Sequence, residues 1–261
     1  MAPQIILTTG ANQGLGFSIV EVITDREPSA IQILTCRNVN AGNKALEKLR
    51  QRGIQSRIEV LELDVTNDDH IIKAVKHVET KYGRLDVLIN NAGIGVLPPD
   101  NSLSALRKAY TSMCSTNLSS VAIMTTAFLP LLYNSSDPKV INISSGTGSI
   151  QNCLNGDKMP HIPSYGGIKI GLNGMMAHMQ MAELDRSAAV ASTGAAGGAT
   201  VRFYVVSPGL LKTALTGFRE GARDPKRGAE VVVRLALNEE GTFEGGTFWS
   251  FEEGEMRKVP W

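Results

Sequence analysis

The octapeptide Thr9-Gly10-Ala11-Asn12-Gln13-Gly14-Leu15-Gly16 constrains the fold of this chain more than any other stretch. It follows Ile5-Ile6-Leu7-Thr8, an apolar run with the length of a short buried strand. It leads into Leu15, Ile19, Val22 and Ile23, whose spacing repeats on one face of a helix. Strand, glycine turn and helix make the first half of a dinucleotide-binding unit. Glycine takes positive φ without strain and lets the backbone approach a ligand closely. The helix N-terminus then offers unpaired N–H groups and a partial positive charge to a pyrophosphate. The spacing is G-x-x-x-G-x-G, not the commoner G-x-G-x-x-G, and an ordinary strand-to-helix turn would read the same in isolation.

The remaining chain alternates in the same way. Ile31–Cys36, Ile58–Leu63, Val87–Ile89, Val140–Ile143 and Val201–Val206 read as strands, with a last one near Gly246–Ser250. Helices are expected from about Ala41 to Gln51, through Ile71, Val75, Val78 and Tyr82, over Leu103–Leu132, from Tyr165 to Arg186, and through Ala229, Val232, Val233 and Ala236. Strands apolar on both faces imply a parallel sheet covered on each side. The expected architecture is α/β: a single domain over residues 1–261, a Rossmann-type doubly wound parallel sheet of about seven strands with helices on both faces. Ser187–Thr200, almost entirely small residues, is expected to be a mobile surface loop.

Composition narrows the function. With 261 residues, 43% hydrophobic, a formal net charge of +1 and only two Trp, the chain has a large core and no basic surface for nucleic acid. Cys36, Cys114 and Cys153 are odd in number and widely spaced, which fits thiols in a reducing compartment and neither a disulfide frame nor a metal site. The chain enters its first strand almost at once, leaving no room for a signal peptide, and no apolar run reaches the ~20 residues needed to span a bilayer. A cytoplasmic protein without membrane attachment is expected.

In a doubly wound sheet, ligands bind beyond the carboxyl ends of the strands. There this sequence places Arg37, Asp64, Asn90-Asn91-Ala92-Gly93, Ser144-Ser145-Gly146 and Ser207-Pro208-Gly209, all polar or conformationally special. Further on, Tyr165 and Lys169 lie four residues apart, on one helix face. An adjacent ammonium favours phenolate, so Lys169 is expected to lower the pKa of Tyr165. A tyrosine so tuned gives a proton to a carbonyl oxygen or takes one from an alcohol.

Together these pieces resemble the short-chain dehydrogenase/reductase family. The matching residues are T-G-A-N-Q-G-L-G, Leu63-Asp64-Val65, N-N-A-G, Asn117, I-N-I-S-S, Y-G-G-I-K and Pro208-Gly209 with Thr213, in the family's order over about residues 4 to 213. The opening L-T-C-R-N and the overall layout look closest to carbonyl-reductase-like members. The resemblance implies that Tyr165 is the general acid/base, and that Lys169 also holds the nicotinamide ribose. It implies that Ser145 hydrogen-bonds the substrate oxygen and that Asn117 holds a water in the proton relay. Ser145 is preferred to Ser144 from its place after the strand. The resemblance further sets the cofactor against Gly10, Asn12, Gln13, Leu15, Gly16, Arg37, Asn38, Asp64, Val65, Asn91, Ala92, Gly93, Pro208, Gly209 and Thr213.

The second strand ends in Cys36-Arg37-Asn38 with no acid nearby, and a guanidinium attracts the 2′-phosphate that a carboxylate would repel, so NADP(H) is the expected cofactor. Gln13 stands where many NADP(H)-preferring relatives carry a basic residue. The segment Gly146–Ser164 is longer than in many relatives and includes Cys153, Leu154, Met159, Pro160, His161 and Pro163; a lone loop histidine such as His161 is more often solvated than catalytic. Leu210-Leu211 through about Arg227 resembles a substrate lid. With Ile94, Val96, Leu97 and Pro98 it suits a medium-sized, mainly apolar ketone, aldehyde or alcohol. Two other classes remain open: non-redox catalysis in the same pocket, and a non-catalytic NADP(H) sensor. The long helices Leu103–Leu132 and Tyr165–Arg186 resemble those that pair subunits, pointing to a homodimer or homotetramer.

Overall fold

The computed structural model describes residues 2–156, 162–193, 198–237 and 243–261. Strand Ile5–Thr8 (β1) passes through the glycine turn into helix Gly14–Arg26 (α1). Ile31–Cys36 (β2), Val39–Gln51 (α2), Ile58–Glu62 (β3) and Asp68–Tyr82 (α3) continue the alternation. Val87–Asn90 (β4) leads to Leu103–Cys114 (α4) and Ser120–Leu132 (α5), joined by a π-helical turn at Ser115–Ser119. After Lys139–Ile143 (β5) come a 3-10 turn at Gly146–Gly148, a short helix Ile150–Leu154 (α6) and the long helix Pro163–Thr193 (α7). Arg202–Ser207 (β6), Pro225–Ala236 (α8), Thr247–Glu252 (β7) and Glu255–Lys258 (β8) complete the chain.

The strands form one sheet in the order β3-β2-β1-β4-β5-β6-β7-β8, parallel except for the antiparallel β7–β8 pair. The chain winds outward from β1 to β3, then returns to β4 on the other side of β1. Strand order therefore reverses between β1 and β4, where a crevice opens at the carboxyl ends. Thr8 lies opposite Leu34 and Ile89, Asn90 opposite Asn142, and Ile143 opposite Val206, so the residues that follow these strands share one edge.

Successive side chains point to opposite faces. Leu7, Leu88, Val140 and Phe203 meet Phe128 of α5 and Met176 of α7 on one face; Ile6, Val87, Ile141 and Tyr204 meet Ile19 of α1 and Val232 of α8 on the other. Both faces are covered, which is why the strands lack polar alternation.

The eighth strand was not expected. Glu255–Lys258 is short, mostly exposed and polar, and pairs only along the outer edge of β7, reversing through Glu253-Gly254 at positive φ. Ser187–Thr193 is not a loop: α7 runs through it to Thr193. Alanine needs no burial to favour a helix, because its side chain loses no rotamer entropy there. Leu103–Leu132 is long and apolar enough by composition to cross a membrane, contrary to expectation, but 44% of its most apolar window is buried and α5 packs against the sheet. It serves as a core helix here.

Candidate active site

The glycine turn is built for close approach. Gly10 and Gly14 hold φ of +63° and +58°. A Cβ on Gly16 would lie 2.5 Å from Asn91 Nδ2 and 2.7 Å from the Gly10 carbonyl oxygen, so nothing larger than hydrogen fits. Asn91 braces the turn by donating from Nδ2 to the carbonyl oxygens of Thr9 (2.8 Å) and Gly10 (3.2 Å). Thr9 Oγ1 accepts the N–H groups of Asn91 and Ala92, both at 2.9 Å. The amide of Asn91 thus fixes the turn from within. Asn12 is half-buried and Gln13 exposed at the turn, whereas Leu15 packs into the core behind it. Gln13, at the N-cap of α1, makes no side-chain capping bond, leaving that helix end to an anion.

At the end of β2, Arg37 is exposed, and Asn38 Oδ1 caps α2 by accepting from Ala41 N at 3.0 Å. Asp64 is half-buried beside them and Val65 is buried beneath. Burial pushes the Asp64 carboxyl up. Hydrogen bonds from Thr66 Oγ1 (2.7 Å) and N (2.9 Å), with the charge of Arg37, outweigh it and hold the group below the usual carboxylate range.

Asn117 lies in the π turn between α4 and α5 and is 1% exposed. Both ends of its side chain hold the backbone of Ile94: Oδ1 accepts from Ile94 N at 2.8 Å, and Nδ2 donates to Ile94 O at 2.7 Å. Gly93 is tight against it, since a Cβ there would lie 3.3 Å from Asn117 Oδ1. The side chain of Asn117, the residue to which the resemblance assigns water-holding, is thus bonded to the backbone of Ile94.

Tyr165 sits in the first turns of α7 and packs against the buried cluster of Ala109, Met113 and Ile168, as Ile94, Val96, Cys114 and Leu118 also do. Lys169 is buried one turn later, with Nζ 5.6 Å from the centre of the Tyr165 ring and donating to Ile143 O at 2.7 Å. The phenol is not lowered as expected. Burial among apolar side chains pushes Tyr165 up to about 12, and the same burial pulls Lys169 down to about 8. Desolvation penalises phenolate and ammonium alike, and it is what moves both groups here.

The two serines after β5 have different surroundings. Ser144 is buried and donates to Asn173 Oδ1 at 2.7 Å. Ser145 is half-buried; its Oγ accepts from Thr147 Oγ1 (3.0 Å) and Thr147 N (3.3 Å). The turn it begins lies against α7, with Thr147 O 3.3 Å from where a Gly166 Cβ would stand. His161, Met159 and Pro160 lie outside the described residues.

The segment after β6 closes the cleft. Gly209 has φ of +79°, and a Cβ there would meet the Arg223 guanidinium at 3.3 Å. Arg223 N donates to Leu210 O (2.9 Å), Lys212 N donates to Arg223 O (2.8 Å), and the Arg223 side chain pairs with Glu252 of β7. Between these ties, Thr213 approaches within 3.4 Å of the Cβ position of Gly14, and Leu215 within 3.8 Å of that of Gly95. Pro208 and Gly209 are half-buried at its root. A cleft of about 510 Å³ runs from the glycine turn along α1, lined by Gln13, Gly14, Phe17, Glu21, Arg52 and Lys226 among others; Ser145, Tyr165, Lys169 and Arg37 do not line it. Leu210, Leu215 and Phe218 of this segment are exposed, as are Leu97 and Leu154.

Sequence reasoning quoted Thr9 in the glycine-rich motif without a role and missed Asn173; Thr9 braces the glycine turn together with Asn91, and Asn173 braces the serine turn. The second was open to view: Asn173 follows Lys169 by a further four residues, a polar position continuing the Tyr165–Lys169 face. A glycine turn without room for side chains, an uncapped helix end and an arginine at the end of β2 together suit a phosphorylated dinucleotide.

Residues 4–223 match the family model described as short chain dehydrogenase. A short-chain dehydrogenase/reductase of Aspergillus fumigatus is 49% identical over 259 residues, covering 99% of this chain and 97% of that protein. The (+)-neomenthol dehydrogenase of Arabidopsis thaliana is 30% identical, covering 95% of this chain and 96% of that protein. Among solved structures, the NADPH-bound carbonyl reductase from chicken fatty liver superposes with a TM-score of 0.77 at 24% identity, over all of both chains. The chain belongs to the short-chain dehydrogenase/reductase family of oxidoreductases.

Proposed function

We propose that this protein is an NADP(H)-dependent reductase that converts the carbonyl group of a medium-sized, mainly apolar small molecule to an alcohol. The observation that carries this reading is the state of Tyr165: a phenol kept protonated by burial, beside a buried lysine and against the turn that bears Ser145. A phenol in that state is a proton donor over the whole physiological range, which suits reduction. Arg37, exposed at the end of β2 with Asp64 as its acidic neighbour tied up by Thr66, offers a guanidinium that favours a 2′-phosphate. The likeness to an NADPH-bound carbonyl reductase and to a dehydrogenase named for a cyclic alcohol supports the same reading.

When bound, NADPH supplies the hydride that the protein itself lacks. The chain's own groups do the rest. Ser145 Oγ and the Tyr165 hydroxyl donate to the carbonyl oxygen, polarising it and fixing its orientation. Tyr165 then passes its proton to that oxygen as charge develops there. Lys169 places a positive charge behind the ring and offers Nζ to the nicotinamide ribose. Asn117 holds the backbone of Ile94. The apolar side chains of the lid and of Ile94–Leu97 exclude water and select an uncharged substrate.

The test is NADPH consumption by the purified protein over a panel of aliphatic, alicyclic and aromatic ketones and aldehydes, with product identified by mass spectrometry. Alcohol formed in step with NADPH loss supports the reading. No oxidation of NADPH with any carbonyl, alongside tight NADPH binding, would favour the sensing or non-redox alternatives.

A further inference from the structure

We infer that Asn173 is a positioning residue that sets Ser145 against Tyr165, an inference that rests on the reductase reading above. Asn173 lies on α7 eight residues after Tyr165 and four after Lys169, continuing their face of the helix. It is 3% exposed, and both ends of its amide are used. Oδ1 accepts from Ser144 Oγ at 2.7 Å, and Nδ2 donates to Gly148 O at 2.8 Å. These partners bracket Ser145 on either side. Lys169 adds a third tie through Nζ to Ile143 O at 2.7 Å. The backbone from Ile143 to Gly148 is thus fastened to the helix that carries the acid by two side chains one turn apart.

Ser145 itself has no such fastening among the described residues. Its Oγ bonds Thr147 within the same turn, so its placement relative to Tyr165 comes from the frame around it. The frame is tight: a Cβ on Gly148 would stand 2.9 Å from both Asn173 Nδ2 and Ser144 Oγ. Removing the Asn173 amide leaves a buried hydroxyl and a buried carbonyl unpaired, which drives the turn to shift. Displacement of about 1 Å at a positioned group costs up to roughly 10²-fold in rate. NADPH binds against the glycine turn and Arg37, away from this frame, and should be little affected.

Asn173→Ala and Ser144→Ala in the full chain test this against a role in stability alone. Three readouts are taken well below the melting temperature: KM for NADPH, the single-turnover rate of NADPH oxidation with cofactor prebound, and hydrogen exchange over residues 145–149. The expected result for Asn173→Ala is a single-turnover rate lower by about tenfold or more, KM for NADPH within about twofold, and faster exchange over 145–149. Ser144→Ala, which loses one bond of the two, is expected to fall about threefold and decides the matter if Asn173→Ala does not fold. Unchanged single-turnover rates with only a lowered melting temperature would overturn the inference. If the unmutated protein oxidises no NADPH, the reductase reading fails separately, and unchanged exchange over 145–149 in the variants would still overturn the proposed frame.

Discussion

Lys169 Nζ lies 5.6 Å from the centre of the Tyr165 ring and donates its hydrogen bond elsewhere, to the carbonyl oxygen of Ile143 at 2.7 Å. The ammonium therefore meets the tyrosine over its ring and makes its hydrogen bond away from the phenol oxygen. Burial moves the two groups in opposite senses, the phenol up to about 12 and the ammonium down to about 8. The lysine is the one that titrates near working pH.

A pH profile follows from that displacement. kcat/KM for NADPH, which reports the free enzyme, should fall as pH rises through about 8, where Lys169 loses its proton, while Tyr165 keeps its own to about 12. In Lys169→Arg the guanidinium stays charged, so the fall should move to higher pH at a lower plateau. A limb unmoved by that substitution would assign the titration to another group.

The same lysine costs stability. Its folded value of about 8 is below its ordinary 10.5, so between those pH values the unfolded chain holds a proton that the folded chain does not. Stability should rise with pH across that window, and the buried ammonium should cost about 3 kcal/mol at neutral pH. Lys169→Met removes that cost and loses one hydrogen bond to Ile143 worth about 1 kcal/mol. The variant should be inactive yet melt several degrees higher at pH 7, at roughly 2–4 °C per kcal/mol for a chain of this size. A lower melting temperature would contradict the cost assigned to burial.

Arg37 should set cofactor preference. A charge-assisted contact to the 2′-phosphate is worth roughly 1.5–3 kcal/mol, or about ten- to a hundredfold in affinity for NADPH over NADH. Calorimetric titration of Arg37→Asp should show the preference erased or inverted. Equal affinities in the unmutated protein would remove Arg37 from this role.

Ile123 of α5 and Met181 and Leu184 of α7 are exposed apolar residues on the two helices that resemble subunit-pairing ones. Light scattering at micromolar concentration should return a mass of a dimer or tetramer. A value near the 28.0 kDa of one chain would rule that out.

The sheet, the glycine turn and the Tyr165–Lys169 pair were legible because each is written locally, in strand-length apolar runs, helical spacing and fixed offsets. What escaped depends on partners distant in the chain. The amides of Asn91 and Asn117 fix backbone at Thr9-Gly10 and Ile94, contacts that no motif states. The raised phenol of Tyr165 reflects its burial against the cluster of Ala109, Met113 and Ile168, two of which come from the distant α4. Ser187–Thr193 misled because low hydrophobicity suggests disorder, whereas its alanines only needed a helix to extend. The strand Glu255–Lys258 lacks apolar alternation because it pairs along an edge and covers little of the core.

The most direct test of the proposed chemistry is Tyr165→Phe, which removes one hydroxyl and keeps the ring. If Tyr165 delivers the proton, kcat for carbonyl reduction should fall by about 10²–10⁴-fold. NADPH affinity should stay within a few-fold, because Lys169, Arg37 and the glycine turn are intact. Turnover that survives Tyr165→Phe would contradict the assignment of Tyr165 as the acid.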